Sequence, residues 1–246
     1  MRDHAKWLTE VERDQSFPNR RPKDAATLIL VDRTGAQPKV LLGKRHHSHA
    51  FMPGKFVFPG GRAEPPDRQM PVAAALDPHV EKALMREVVR PSAVKARALA
   101  LAAIRETFEE TGLLLGSKWQ RPNGPARAPE GPWHEFASTG FYPDLSALHF
   151  IARAVTPPRR PRRFDTRFFS VDASAIARRV ENVVHPEAEL VELTWIPIAE
   201  ARKLDMPGIT AVVLHELEAR VAAGFGHDLP VPFYRMPRKR FERSLL

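Results

Sequence analysis

Residues 104–114 read IRETFEETGLL, and the fold turns on what this stretch is for. Wound as an α-helix at about 100° per residue with Ile104 at zero, it puts Leu101 near about 60° and Phe108 near about 40°, an apolar stripe facing a core. Glu109, Glu106 and Glu110 fall at about 140°, 200° and 240°, sharing an arc roughly opposite that stripe. Like charges three and four residues apart repel, at about 0.2–0.5 kcal/mol per pair. Ala102 and Ala103 flank them, and the nearby cation is Arg105, one turn from Glu109. A solvated helix face usually interleaves Lys and Arg, so this one looks built for a cation from outside the chain. Hard divalent ions such as Mg²⁺ take carboxylate and water oxygens and bind beside substrate phosphates. The plain alternative is an exposed helix decorated with glutamate, a common helix former; helix geometry alone leaves both open.

Working outward, the helical pattern begins near Val94 and stops at Gly112, a C-cap signal. Upstream, AATLILVD (25–32) and PKVLLGKR (38–45) read as a strand pair, and KFVFPGG (55–61) as a third strand ending in a Pro-Gly-Gly turn. VEKALMREVV (80–89) is helical in pattern and is bounded by Pro78 and Pro91. Downstream, residues 117–136 are rich in Pro and Gly and read as a long loop, with Trp119 and Trp133 pinning it to the body or closing over a ligand. Strands are expected over 148–157, 165–173 and 190–198, and a helix over 209–222.

With 246 residues, 43% of them apolar, the chain can bury the core of one large domain. The expected division is an N-terminal appendage at 1–23, a domain at 24–225 and a basic tail at 226–246. Thirty-eight Lys plus Arg against 29 Asp plus Glu leave +9, which calls for an anionic partner. Without cysteine there are no disulfides and no thiolate metal sites. No apolar run reaches the length of a membrane span, and the opening MRDHAKWLTEVERD is too charged for a secretory signal. The expectation is a soluble, cytoplasmic protein with no membrane partner.

Residues 60–113 resemble a Nudix hydrolase box. The second half of that pattern stands here as Arg105-Glu106-Thr107-Phe108-Glu109-Glu110-Thr111-Gly112-Leu113, and the first half as Gly60-Gly61 with Asp67 six residues beyond Gly61. Three departures are visible. Asp67 replaces a Glu, Thr107 replaces an apolar residue, and residues 68–104 fill a gap that the family spans with seven. Loop closure cost grows only logarithmically with length, so an insertion at 68–97 is tolerable if it packs elsewhere. The Nudix branch similar to the peroxisomal acyl-CoA diphosphatases carries a long insertion at this place, and FMPGKFVFPGG (51–61) and RRFDTRFF (162–169) share its flavour.

The resemblance implies an α+β fold, an α/β/α sandwich with a mixed β-sheet between helices and a helical insertion inside the box. It implies that Glu106, Glu109 and Glu110 bind Mg²⁺ or Mn²⁺ with the Gly60 carbonyl completing the shell, that Arg105 orients a carboxylate, and that Asp67 takes an auxiliary acidic role. Glu106 or Glu109 is the expected general base, with Glu187, Glu189 and Glu192 as candidates outside the helix. Lys44, Arg45 and Gly61 are expected at the substrate phosphates. The implied reaction is hydrolysis of a phosphoanhydride in a nucleoside diphosphate linked to another moiety: coenzyme A or acyl-CoA, giving 3′,5′-ADP and (acyl-)phosphopantetheine. A CoA-directed signature is partly present: Leu41, Leu42, Arg45, Gly54, Phe58, Pro59, Gly60 and Gly61 fit, whereas Gly43, His46 and Ala50 depart.

Alternatives stay open. ADP-ribose, NADH or dinucleoside polyphosphates are other substrates of the same class, and a nucleotide- or RNA-binding module without catalysis is a different class; a homodimer is compatible with either. PPRRPRRF (157–164) could grip nucleic acid but lacks interleaved aromatics for base stacking, which favours an exposed turn or a clamp on substrate phosphate. His46, His47 and His49 read as surface residues before they read as a transition-metal site. The closing Ser244-Leu245-Leu246 differs from the Ser-Lys-Leu peroxisomal address.

Overall fold

The run KDAATLILVD forms β1 (Lys23–Asp32) and buries both faces: Ala26, Leu28 and Leu30 turn into one apolar cluster, while Ile29 and Val31 turn into another. Continuous apolar sequence is what a strand covered on both sides requires, and each such Leu or Ile contributes about 1.5–3 kcal/mol by leaving water. In the computed structural model, residues 3–11, 13–48, 52–120, 124 and 126–246 are described. Antiparallel to β1 lies β2 (Lys39–Arg45), followed by β10 (Leu190–Pro197); parallel to its other edge lies β8 (Phe164–Asp172), then β7 (His149–Val155), β11 (Pro232–Arg235) and β12 (Glu242–Leu245). The expected third strand is two short ones, β3 (Phe56–Val57) on β2 and β4 (Gly60–Arg62) on β1, separated by Phe58 and Pro59. A separate three-stranded sheet joins β5 (Leu113–Lys118), β6 (Phe141–Pro143) and β9 (Ile176–Arg179).

Helices cover both faces of the large sheet, as the predicted α/β/α sandwich requires. One layer holds α2 (Pro78–Leu84), α3 (Ala93–Thr111) and α4 (Pro132–Ser138); the other holds α1 (His4–Glu10), α5 (Ile198–Ala201) and α6 (Gly208–Ala222). The first corrects a sequence expectation. α3 buries far more than one stripe: Ala96, Ala100, Ala102, Ala103 and Thr107 are enclosed with Leu101, Ile104 and Phe108, because α2, α4 and β5 pack on the side away from the sheet. Its Ala-rich middle is thus packed on more than one side, while Glu106 stays only partly buried and Glu109 reaches the surface. Thr107 is tolerated there because its hydroxyl donates to the Ala103 carbonyl at 2.8 Å.

Parts of both expected appendages pack into the sandwich. Leu8 of α1 packs in the same cluster as Val213 and Leu217 of α6. The basic tail becomes β11 and β12, with Phe233, Tyr234, Phe241 and Leu246 buried, and Arg220 ties down the turn before it by donating to the carbonyls of Gly226, Leu229 and Pro230. The expected loop at 117–136 holds the end of β5 and most of α4; residues 121–123 and 125 lie outside the described residues. Among the described residues no helix is long and apolar enough to cross a membrane.

Candidate active site

Two glycines bring the chemistry together. Gly112 closes α3 with φ 73°, its N–H donating to the Phe108 carbonyl at 2.8 Å, and a Cβ there would strike the Val180 carbonyl. This left-handed ending turns the chain into β5 and fixes where the last turns of α3 lie. From the sheet side, β4 runs against the same turns so closely that a Cβ on Gly61 would strike the Glu106 carboxylate.

Arg105 organises the acids around it. Its Nε donates to Asp67 Oδ1 at 2.9 Å, its Nη2 to the Arg62 carbonyl at 2.8 Å and to Asp67 Oδ2 at 3.3 Å, and its Nη1 to Glu106 at 3.0 Å and Glu109 at 2.7 Å. Asp67, expected as an auxiliary acid, is instead fully buried, and its oxygens also accept from Trp133 Nε1 at 2.9 Å and the Glu64 N–H at 2.7 Å. The turn Pro65–Arg68 carries it beneath the helix, where it positions Arg105 and does not line the cleft. Trp133 is thereby a buried anchor for its segment.

The cleft beside the glycines has a volume of about 370 Å³, and its polar lining includes Arg45, Gly60, Gly61, Glu106, Glu110 and Glu189. Glu110 accepts from the Gly60 N–H at 3.2 Å; Arg45 Nη1 pairs with Glu189 at 2.8 Å. Glu109, with a third of its side chain exposed, turns to Arg105 and lies outside the wall. Of the residues expected at the phosphates, Arg45 and Gly61 reach the cleft and Lys44 does not; Lys44 sits 5.8 Å from the Phe56 ring centre. Consecutive side chains on a strand face opposite ways, so the pair could not act together. Of the outside acids only Glu189 lines the cleft, while Glu192 accepts from the Thr194 hydroxyl. His46 bonds Ser48, and His49 and Ala50 lie outside the described residues. Arg62 and Glu64 line the cleft and were not singled out, although they directly follow the double glycine.

Burial raises the Glu106 carboxyl to about 7, against the pull of Arg105 and helped by Glu109 and Glu189. Glu110 is pushed well above the usual carboxylate range by burial, then by the charges of Glu189 and Glu106. Burial also raises Glu109, which Arg105 opposes. Among the described residues no group of three or more His, Asp or Glu side chains is placed to hold a metal ion. The donors nonetheless fit a hard divalent cation. They are all oxygens, they crowd four carboxylates around the two guanidinium groups of Arg45 and Arg105, and Mg²⁺ commonly uses one or two carboxylates plus substrate phosphates without an all-protein cage.

No family model matches the chain. Over 208 residues, 66% of the chain, it is 29% identical to an acyl-coenzyme A diphosphatase of Homo sapiens. Over 131 residues, 38% of the chain, it is 31% identical to the protein of that name from Xenopus laevis. The matched region spans 54% of the human relative's length and 34% of the frog's. Among solved structures, a NUDIX hydrolase from Alicyclobacillus acidocaldarius superposes with a TM-score of 0.60 at 29% identity, covering 81% of this chain and 92% of that one.

Proposed function

Because the chain belongs to the Nudix superfamily, we propose that it is a divalent-metal-dependent pyrophosphohydrolase acting on a nucleoside diphosphate linked to a second moiety, with coenzyme A or an acyl-CoA as that substrate. The products are 3′,5′-ADP and (acyl-)phosphopantetheine. The observation that carries the reading is the convergence of Glu106 and Glu110 on one cleft, walled by the Gly60-Gly61 strand. The activity in the printed names of the human and frog relatives supports the CoA assignment. So does the partial signature in Leu41, Leu42, Arg45, Gly54, Phe58, Pro59, Gly60 and Gly61.

Glu106 and Glu110, which line the cleft, would hold Mg²⁺ or Mn²⁺ with the Gly60 carbonyl and substrate phosphates, while Glu109, expected as a third ligand, is turned to Arg105 at 2.7 Å. When bound, such an ion stabilises charge on the phosphate oxygens and lowers the pKa of a coordinated water. Arg105, anchored by Asp67, keeps Glu106 and Glu109 in place. Arg45 presents a guanidinium to phosphate oxygens, a charge-assisted contact of the strong kind. Gly61 leaves the Glu106 carboxylate its room at the wall. Glu106 takes the proton from the attacking water; the new P–O bond forms as the bridging P–O bond breaks, and its electron pair leaves with the departing phosphate.

The test is a turnover panel with Mg²⁺ or Mn²⁺ over CoA, acyl-CoA, ADP-ribose, NADH, a dinucleoside polyphosphate and capped RNA, with product masses locating the scissile bond. CoA or acyl-CoA should be cleaved only with metal, and Glu106→Gln should lose about 10²-fold or more in kcat. Hydrolysis of ADP-ribose, NADH or a dinucleoside polyphosphate in place of CoA would move the substrate assignment. No hydrolysis of any of them would overturn the reading.

A further inference from the structure

Two basic runs far apart in sequence, NRRPK (19–23) and RRPRRF (159–164), meet in space. Arg163 joins them: its Nη1 donates to Asn19 Oδ1 at 2.8 Å and to the Arg20 carbonyl at 2.6 Å, its Nε to the Thr156 carbonyl at 3.1 Å, and its own carbonyl accepts from the Lys23 N–H at 2.9 Å. Between the runs opens a cleft of about 340 Å³ whose charged lining is Arg20, Arg21, Lys23, Arg62, Arg162 and Arg163, with no acidic residue. Arg62, Arg162 and Phe164 line both this cleft and the one holding Glu106 and Glu110, so the two are contiguous.

The neighbouring surface shows how this chain treats cations it uses structurally. A larger cleft of about 740 Å³ shares Arg21, Lys23 and Arg62, but its Lys95 and Arg167 pair with Asp24 at 2.8 Å each and its Arg153 pairs with Asp165 at 2.7 Å. In the smaller cleft Arg163 is spent on backbone carbonyls and the Asn19 side chain, while the side chains of Arg20, Arg21, Lys23 and Arg62 have no ion-pair partner among the described residues. Gathering like charges without a counterion is unfavourable, and guanidinium forks match the oxygens of a phosphate in geometry as well as in charge.

We propose that this all-cationic cleft is a subsite for a phosphomonoester carried on the nucleotide outside the scissile diphosphate, as on a 3′-phosphoadenosine. The proposal rests on reading the adjoining acidic cleft as a pyrophosphohydrolase site, and it deepens that reading: CoA carries such a phosphate, whereas ADP-ribose and NADH do not.

The test uses the full chain, wild type and the double variant Arg21→Ala/Lys23→Gln, both substitutions being at exposed positions; Arg163 is left intact because it holds the two runs together. Binding of adenosine 3′,5′-bisphosphate and of AMP is measured, together with kcat/KM for CoA and 3′-dephospho-CoA. Wild type should prefer the bisphosphate at least about tenfold, about 1.4 kcal/mol. The preference should fall below about threefold in the variant, and should shrink as salt rises from about 50 to about 500 mM. The CoA to dephospho-CoA ratio should follow, chiefly through KM. Equal binding of the two nucleotides by wild type, or a preference untouched in the variant, overturns the subsite. So would a short single-stranded RNA that displaces the bisphosphate and is lost with the same variant, since the cleft would then serve nucleic acid. A bisphosphate preference without CoA turnover would support the subsite while refuting the CoA reading, and CoA turnover without the preference would do the reverse.

Discussion

Replacing Asp67 by asparagine removes one charge and changes almost no volume, yet it should be among the more damaging substitutions in this chain. Asp67 is wholly buried, and its four neighbours are all donors: Arg105 Nε and Trp133 Nε1 on Oδ1, Arg105 Nη2 and the Glu64 N–H on Oδ2. An amide offers one accepting oxygen and one donating nitrogen, so whichever way the new side chain sits, two donors face another donor. Leaving a buried donor unmet costs about 1–3 kcal/mol. Removing one partner of a buried ion pair costs about 3–5 kcal/mol, moderated here because Arg105 keeps Glu106 and Glu109. The expected loss for Asp67→Asn is about 3–5 kcal/mol, a large share of a typical total of about 5–15 kcal/mol. Urea unfolding followed by tryptophan fluorescence reads it as a lower midpoint. Because Arg105 then loses its anchor, kcat should fall with KM little changed. A variant within about 1 kcal/mol of wild type would refute the claim that Asp67 holds Arg105 in place.

Gly61→Ala should cost activity out of proportion to stability, since the new methyl displaces the Glu106 carboxylate, the mobile end of a side chain; equal kcat/KM to wild type would contradict the close approach. Ending the chain after Pro230 removes buried Val231, Phe233, Tyr234, Phe241 and Leu246, each worth about 1.5–3 kcal/mol, so the shortened protein should show no cooperative melting transition in calorimetry. Burial, with His227, Arg220 and Arg33 adding, lowers His149 to about 4. Its folded pKa lies below its unfolded one, so the unfolded chain binds the proton first and stability drops as pH falls from about 6.5 toward 4. In His149→Phe the difference in urea midpoint between pH 7 and pH 5 should therefore be smaller than in wild type; an equal or larger difference refutes the assignment.

The parts of the fold legible in the sequence are those where local pattern and tertiary environment agree. β1 could be read because a strand buried on both faces is apolar throughout, and the end of α3 because Gly112 is required by its own backbone conformation. Where partners come from elsewhere in the chain, the reading stopped short. The alanine side of α3 looked like a neutral flank because α4 and β5, which cover it, lie beyond Gly112. The tail read as a basic run because Phe233 and Tyr234 reach the apolar clusters on opposite faces of the sheet only by pairing beside β7, while Arg235 and Arg243 find Glu87 and Glu216. Within the site, the box named Arg105 and the three glutamates, but strand alternation separated Lys44 from Arg45, and the depth of Asp67 depended on the turn Pro65–Arg68. Contact between residues 19–23 and 159–164 has no local signal at all.

The most direct test of the account is a Mn²⁺ titration followed by electron paramagnetic resonance, with and without ADP, on wild type, Glu106→Gln and Glu110→Gln. The signal of free Mn²⁺ should be depleted by the wild-type protein, more strongly when the diphosphate is present, and either substitution should weaken that depletion by about tenfold or more in Kd. Undiminished free Mn²⁺ in the presence of wild-type protein and ADP, or identical depletion by all three proteins, would contradict a site in which these carboxylates gather a divalent ion against a diphosphate.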